Sequence, residues 1–200
     1  MPLDHLGQMS RAIMKFEDTS VAGAYVIRPQ PREDSRGHFA RLWCQQELVE
    51  RGLVDQIAQI NIGYSPRAGT LRGLHWQVPP HAEVKIARCT RGAVFDVAVD
   101  LRPASPTFRR WTGLILTPAN GLMLYVPEGC AHGYLTLESD CDLMYFTSHP
   151  YDAASARGVR YDDAAFRIEW PSAVQVISAA DATWPAFTDT PAVDAGGATA

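Results

Sequence analysis

Residues 94–100 read Val-Phe-Asp-Val-Ala-Val-Asp, and this stretch decides the fold class. Apolar side chains at 95, 97 and 99 alternate with Asp96, Ala98 and Asp100, which is the two-residue period of a β-strand. Similar short runs recur between Pro, Gly, Asp and Asn residues, at 24–28, 83–89, 93–100, 113–116, 122–126, 133–137 and 143–147. Many short strands separated by turn residues predict an all-β protein: an antiparallel sandwich, a jelly roll or a small barrel.

Helix signals are few, and the ends of the chain differ from its centre. Residues 44–51, before Gly52, could form two helical turns, and residues 153–157, before Gly158, could form one. We interpret residues 1–20 as an N-terminal extension and 21–187 as a single domain. Residues 188–200 are small and polar, which predicts a disordered tail.

The composition narrows the function classes. The 200 residues are 46% apolar with a net charge of −4, so we expect a packed core and neither nucleic acid nor membrane as a partner. Four cysteines without zinc-site spacing, and an N-terminus without a signal-like apolar core, favour free thiols in the cytoplasm. The basic residues are 16 Arg and only two Lys, at positions 15 and 85.

The stretch Gly69-Thr-Leu-Arg-Gly-Leu-His-Trp-Gln77 is the richest in reactive side chains. In a regular strand His75 and Gln77 share a face, whereas Arg72 and His75 lie on opposite faces unless a bulge intervenes. Lys85 follows in the next apolar run. It is either a surface lysine with a buried stem or an ammonium placed for chemistry.

A second stretch, Pro127-x-Gly129, predicts a turn before a strand that His132 opens. His-x-Gln followed by Pro-x-Gly-x-x-His resembles the two motifs of the cupin barrel. Metal cupins have His where Gln77 stands, and an amide is a poor ligand for a transition metal. Glu83 is only a weak candidate for the further carboxylate ligand, so we predict no bound metal.

Two arginines suggest an anion site. Arg36 lies in a turn beside Phe39, and Arg72 lies in the strand that carries His75. A guanidinium binds phosphate through its planar fork, so two of them near one pocket would suit a diphosphate. The glycine-rich loops of ATP and dinucleotide sites are absent from the sequence.

Taken together, these motifs resemble the dTDP-4-dehydrorhamnose 3,5-epimerase family over residues 24–187. The matching elements are Asp34-x-Arg-Gly-x-Phe39, Gln59-x-Asn61, Leu71-Arg-Gly-Leu-His-x-Gln77, Lys85, Gly92-x-x-x-Asp96-x-x-x-Asp100-x-Arg102, Ser105-Pro-Thr-Phe108, Pro127-x-Gly-x-Ala-His-Gly133, Tyr145, Tyr151 and Ile168-x-Trp-Pro171. The chain departs from the family at Ala40-Arg41, where an acidic residue is usual, and at Ala180, where a lysine is usual. These departures leave the sugar and the nucleotide open.

The resemblance implies a cupin-type jelly roll with a few short helices and a role for each matched residue. His75 matches the base that removes a proton beside the C4 ketone of a nucleotide-linked sugar, and Asp181 matches its partner. Tyr145 matches the group that returns a proton from the opposite face, and Lys85 matches the cation beside the ketone oxygen. The binding residues implied in the same way are Arg36, Phe39, Gln59, Asn61, Arg72, His132 and Tyr151.

The resemblance further implies a homodimer whose N-terminal strands pair across the interface, and a reaction that needs no cofactor because the ketone is already present. The expected substrate is a dTDP-linked 4-keto-6-deoxyhexose, inverted at C3, C5 or both. A C3-only or C5-only epimerase, a metal-dependent cupin enzyme and a non-catalytic sugar-binding cupin are the alternatives.

Overall fold

The computed structural model describes residues 14–188, so our predictions for residues 1–13 and 189–200 lie outside it. Its strands are β1 (Lys15–Asp18), β2 (Tyr25–Arg28), β3 (Arg32–Asp34), β4 (Gly37–Phe39), β5 (Gln59–Ser65), β6 (Thr70–Gln77), β7 (Lys85–Arg91), β8 (Val94–Asp100), β9 (Trp111–Leu116), β10 (Met123–Val126), β11 (Cys130–Thr136), β12 (Cys141–Thr147), β13 (Ala156–Gly158) and β14 (Val176–Ile177). The helices are α1 (Gln45–Val49) and α2 (Ala179–Ala182).

Two sheets make up the body of the described chain. The first has the strand order β1-β2-β10-β7-β12-β5, and the second has the order β13-β6-β11-β8-β9 with β14 alongside β6. All pairings are antiparallel except that of β14 with β6. The all-β prediction with a few short helices is confirmed, and each predicted apolar run contains most of a strand.

Apolar side chains fill the space between the sheets. Ala87 and Cys89 of β7 pack against Val94 of β8, and Leu124 of β10 packs against Ala98. Transfer of such side chains out of water, at about 25 cal/mol per Å² of apolar surface, is the main force that holds the two sheets together. The four cysteines are free thiols, as predicted, and three of them are buried.

The alternation in β8 separates two buried environments. Val97 and Val99 point to the outer face of the second sheet, where Val159 and Phe166 of the C-terminal segment cover them. Asp96, on the other face, is fully buried between the sheets. Both faces of this strand are therefore enclosed, and its carboxylates need polar partners in the interior.

The local predictions differ from the structure in part. Residues 153–155 form the single turn predicted at 153–157, with the N–H of Ala156 donating to the carbonyl of Asp152 at 2.9 Å, but Ala156–Gly158 then continues as a strand that pairs with β6. Helix α2 was not predicted. Strand β1 lies within the range that we assigned to an N-terminal extension, yet it pairs with β2, and Met14 beside it is buried. The folded part therefore begins before residue 21. Among residues 14–188, no helix is long and apolar enough to cross a membrane.

Asp100 holds the end of β8 to the turn that follows. Its buried carboxylate accepts hydrogen bonds from the backbone N–H and guanidinium of Arg102 and from the hydroxyls of Ser105 and Thr107. Burial alone would raise the pKa of Asp100, but these donors lower it to about 2. Arg102 also donates to the carbonyl of Ala22, which ties the turn to the N-terminal part of the fold.

We expect Asp100→Asn to lower the free energy of unfolding by about 2 kcal/mol at neutral pH, because the ionised form is favoured in the folded state. A folded-state pKa of about 2, below the ordinary 3.8, gives stability that is present above pH 3.8 and is lost as the pH falls towards 2. Urea unfolding at pH 7 and at about pH 3 should therefore show a smaller gap between variant and wild type at the lower pH. Glu17→Gln, at an exposed ion pair, is the control. A gap that does not change with pH would contradict this role of Asp100.

Candidate active site

A cavity of about 570 Å³ opens between the two sheets. Residues from both sheets line it, including Arg72, His75, Lys85, His132, Tyr145 and Asp181. The structure thus brings together all four residues that we assigned to catalysis and two of those that we assigned to binding.

A bulge in β6 places Arg72 and His75 in the same cavity. Arg72 pairs with Tyr134 and His75 pairs with His132, so two residues of β6 stand opposite one residue of β11. Gly73 sits in this bulge at φ +132°, and a Cβ there would lie 2.5 Å from the Cα of Gly133. A side chain is therefore excluded at position 73, and the bulge that we required for a shared site is present.

His75 is held by Asp181, which is 106 residues further along the chain. His75 Nε2 lies 2.6 Å from Asp181 Oδ1, and the Gly73 N–H donates to Oδ2 at 3.3 Å. Ser178 caps α2 by accepting from the N–H of Asp181, which fixes the turn that presents the carboxylate.

The charge state of this pair follows from its surroundings. Burial would raise the pKa of Asp181, but hydrogen bonds from His75, Gly73 and Trp184 outweigh burial and lower it. An ionised carboxylate only accepts hydrogen bonds, so Nε2 of His75 donates the shared proton to it. In the neutral imidazole, Nδ1 then carries the lone pair that a base needs.

Lys85 contributes an ammonium from the opposite sheet. Its Nζ lies 2.9 Å from Glu83 Oε1 and donates to the backbone carbonyl of His75 at 3.4 Å. The side chain is only 12% exposed, so the interpretation as a surface lysine is wrong. Sequence reasoning did not assign Glu83 to this pair, although its position two residues before Lys85 was a signal that both share one face.

Tyr145 projects from β12, in the same sheet as Lys85 and across the cavity from His75. Burial raises the pKa of Tyr145, and the charge of Glu83 raises it further against the opposing effect of Arg72. The phenol therefore remains protonated at neutral pH and can donate a proton into the cavity.

His132 forms a second buried histidine–carboxylate pair. Its Nε2 lies 2.9 Å from Asp96 Oδ1, and both side chains are at most 8% exposed. Asp96 comes from the β8 stretch that decided the fold, and its register opposite Tyr134 points it into the same space. The pair places a polar, oriented imidazole at the wall of the cavity.

Arg72 bridges the two sheets beside the cavity. Its Nη2 donates to the carbonyl of Tyr64 at 2.9 Å, and its Nε donates to Ser65 Oγ at 3.3 Å. Asn61 and Gln59 lie on the same strand and on the same face as Gly63, which lines the cavity. The predicted diphosphate contacts on β5 and β6 are thus adjacent.

The other predicted binding residues lie apart from this cavity. Arg36 and Phe39 belong to the β3–β4 hairpin; the Arg36 side chain is 86% exposed and paired with Asp34, and Phe39 is 62% exposed. Tyr151 is 71% exposed, on the loop after β12, where its N–H donates to Gln59.

Gln77, which replaces the second histidine of a metal cupin, is already engaged. Its amide bonds with the carbonyls of His81 and Pro150 and with the N–H of Asp152. Within the part of the chain that the structure describes, no three His, Cys, Asp or Glu side chains form a metal-binding group. The residues at the cupin metal position therefore do not fit a transition metal.

A histidine on one sheet, a phenol on the other and an ammonium in the same cavity are the groups that inversion at a carbon beside a ketone requires. The fold and the site define a carbohydrate epimerase, an isomerase built on a cupin-like jelly roll. The sequence model of the dTDP-4-dehydrorhamnose 3,5-epimerase family matches residues 18–189, and the chain belongs to that family.

Individual relatives agree with this assignment. The dTDP-4-dehydrorhamnose 3,5-epimerase of Sinorhizobium fredii is 41% identical, over 89% of this chain and 92% of the relative. The crystal structure of the Elizabethkingia anophelis enzyme superimposes with a TM-score of 0.84 at 38% identity, covering 87% of this chain and 96% of that one. A Legionella pneumophila epimerase in complex with dTDP-4-keto-L-rhamnose has a TM-score of 0.78 at 35% identity, covering 84% and 89%. These matches confirm the predicted family and the jelly-roll fold.

Proposed function

We propose that this protein inverts a dTDP-linked 4-keto-6-deoxyhexose at C3, at C5 or at both, without a cofactor. The observation that carries the proposal is the placement of His75 and Tyr145 on opposing sheets of one cavity. The Legionella relative, which holds a dTDP-linked 4-keto sugar, supports the substrate class.

The mechanism uses three side chains in turn. Nδ1 of His75 takes the proton from the carbon beside the ketone, and the electron pair of that bond moves to the ketone oxygen. The enolate oxygen is stabilised by the ammonium of Lys85, whose side chain is itself largely buried. Tyr145 then donates its proton to the carbon from the opposite face, and exchange with water returns His75 and Tyr145 to their starting states.

The first test follows hydrogen exchange by NMR in D₂O with dTDP-4-keto-6-deoxyglucose. We expect wild type to incorporate deuterium at each carbon that it inverts, which also distinguishes a C3-only or C5-only enzyme from a 3,5-epimerase. His75→Ala should lose both exchange and inversion. Tyr145→Phe should retain exchange, because His75 can return a proton to the face it came from, while inversion is lost. No exchange by wild type with any 4-keto nucleotide sugar would refute the proposal, and bound sugar without exchange would favour a binding protein.

The second test concerns the ammonium. We expect Lys85→Arg to lower kcat by at least about a hundredfold, since a broad guanidinium cannot occupy the place of Nζ between Glu83 and the His75 carbonyl. Lys15→Arg, at the other lysine of the chain on an exposed strand, is the matched control and should keep wild-type turnover. Near-normal activity of Lys85→Arg would show that position 85 needs only a positive charge.

We further propose that the protein is a cytoplasmic homodimer that pairs through β5, in place of the N-terminal strands that the resemblance implies. Ile60, Ile62 and Tyr64 project from the outer face of β5, at the edge of the first sheet, and are 47–63% exposed. An apolar stripe on an edge strand favours a protein partner. Pairing there would let the β3–β4 hairpin of one copy reach the nucleotide end of the cavity in the other copy. This arrangement would explain why Arg36 and Phe39 lie far from the cavity of their own copy.

Light scattering tests this assembly. We expect wild type to have the mass of a dimer and Ile62→Asp to have that of a monomer, because a carboxylate in an apolar interface is costly to desolvate. Ile115→Asp, at an exposed isoleucine on β9 in the other sheet, should remain dimeric. A dimeric Ile62→Asp protein would place the interface elsewhere.

A further inference from the structure

We propose that Trp184 is a positioning residue for the catalytic pair, and that it acts through Asp181 without lining the substrate cavity. This inference rests on the proposed function, since it concerns the base of that same reaction. Three independent features of the C-terminal segment support it: a hydrogen bond, a ring contact and a glycine that makes room for the indole.

The hydrogen bond reaches the carboxylate oxygen that His75 uses. Trp184 Nε1 donates to Asp181 Oδ1 at 3.3 Å, on the same atom that lies 2.6 Å from His75 Nε2. With the Gly73 N–H on Oδ2, the carboxylate has three donors around it. The donors from Gly73 and Trp184 belong to the folded scaffold, and they fix the plane of the Asp181 carboxylate. The third donor position is left for the imidazole of His75.

The indole also contacts the imidazole directly. The rings of His75 and Trp184 meet edge to face, with centroids 6.1 Å apart and planes at 68°. Such pairs prefer this geometry, so the indole limits rotation of the imidazole about its side-chain bonds. One side chain therefore restrains both members of the catalytic pair.

Gly158 shows that the backbone accommodates this indole. Gly158 stands directly opposite His75 in the pairing of β13 with β6. A Cβ at position 158 would lie 2.0 Å from Cε2 of Trp184 and 2.4 Å from its Nε1. The indole packs on bare backbone at this point, and every larger residue at 158 would displace it.

The segment that carries Trp184 is tied down on both sides. Arg160 Nη1 donates to the carbonyl of Ala182 at 3.1 Å, and the N–H of Phe187 donates to Asp163 Oδ2 at 2.7 Å. Thr183 Oγ1 bonds back to the carbonyl of Ala179 within the helical turn. Trp184 is thus held at a fixed place between two anchored points, as a positioning role requires.

The chemical consequence concerns the moment after proton removal. His75 is then an imidazolium in contact with the Asp181 carboxylate, and transfer of the Nε2 proton to Asp181 would remove that stabilising pair. The indole N–H favours the ionised carboxylate and opposes this transfer. Loss of the N–H should therefore weaken the transition state for deprotonation more than it weakens binding of the sugar.

The experiment compares the same substitution at two tryptophans. Trp184→Phe keeps a ring but loses the donor, and we expect kcat to fall about tenfold with KM within about twofold of wild type. Trp170→Phe is the matched control, because Trp170 Nε1 donates to the carbonyl of Tyr161 and Trp170 does not line the cavity. A kcat of Trp184→Phe within about twofold of the Trp170→Phe value would overturn the inference.

Two further variants separate positioning from folding. Benzothienylalanine at position 184, which has sulfur in place of the N–H, keeps the shape of the indole and should reproduce the loss in kcat even if Trp184→Phe does not fold. Gly158→Ala should cause a similar loss in kcat by displacing the ring. Wild-type turnover by the benzothienylalanine protein would show that the indole N–H has no positioning role.

A readout without turnover distinguishes this inference from the proposed function. In the substrate-free protein, the low-field NMR resonance of the proton between His75 and Asp181, assigned by its absence in His75→Ala, should shift in Trp184→Phe and stay in place in Trp170→Phe. If wild type shows no epimerase activity but the resonance still shifts in Trp184→Phe, the proposed function alone would be refuted. An unshifted resonance would refute the positioning role alone.

Discussion

The arrangement of the candidate active site depends on the hydrogen bond between His75 and Asp181. It joins strand β6 to a turn 106 residues later, so the C-terminal segment must return to the second sheet to complete the site. The parallel pairing of β14 with β6 delivers that segment, and the Ser178 cap turns the carboxylate inward. A site whose members are 106 residues apart in the sequence exists only when both sheets have formed.

Three carboxylates inside the sandwich are tolerated because each has a defined side-chain or turn partner. Asp100 binds the turn after β8, Asp96 binds His132, and Glu83 binds Lys85. The reactive centre belongs to the same system of buried pairs, which differ in their access to the cavity. Structural and catalytic carboxylates therefore obey one rule, that a buried charge needs a charged or hydrogen-bonding neighbour.

Sequence alone predicted β2 and the strands from β7 to β12, because the apolar runs that form them are local. The family resemblance also selected His75, Lys85, Tyr145 and Asp181, and the fold brings these four side chains to one cavity. The two-residue strand β14 and the single-turn helix α2 form where the chain contacts β6. Neither has a local sequence pattern from which it could be predicted. The roles of Glu83 and Trp184 depend on distances across the fold, and the separation of Arg36 and Phe39 from the cavity depends on where the hairpin extends. Residues 15–18 carry one apolar side chain among charged ones, so their strand has no hydrophobic signal.

Arg72 and Lys85, the two cations of the cavity, also link the two sheets. Arg72 reaches from the second sheet to the carbonyl of Tyr64 in the first, and Lys85 reaches from the first sheet to the carbonyl of His75 in the second. These two side chains are cross-links between the two walls of the cavity. An anionic ligand that draws either side chain towards its own oxygens takes over part of the bracing, so the ligand acts as a spacer. The width of the cleft, and with it the separation of His75 from Tyr145, is then partly set by the molecule inside it.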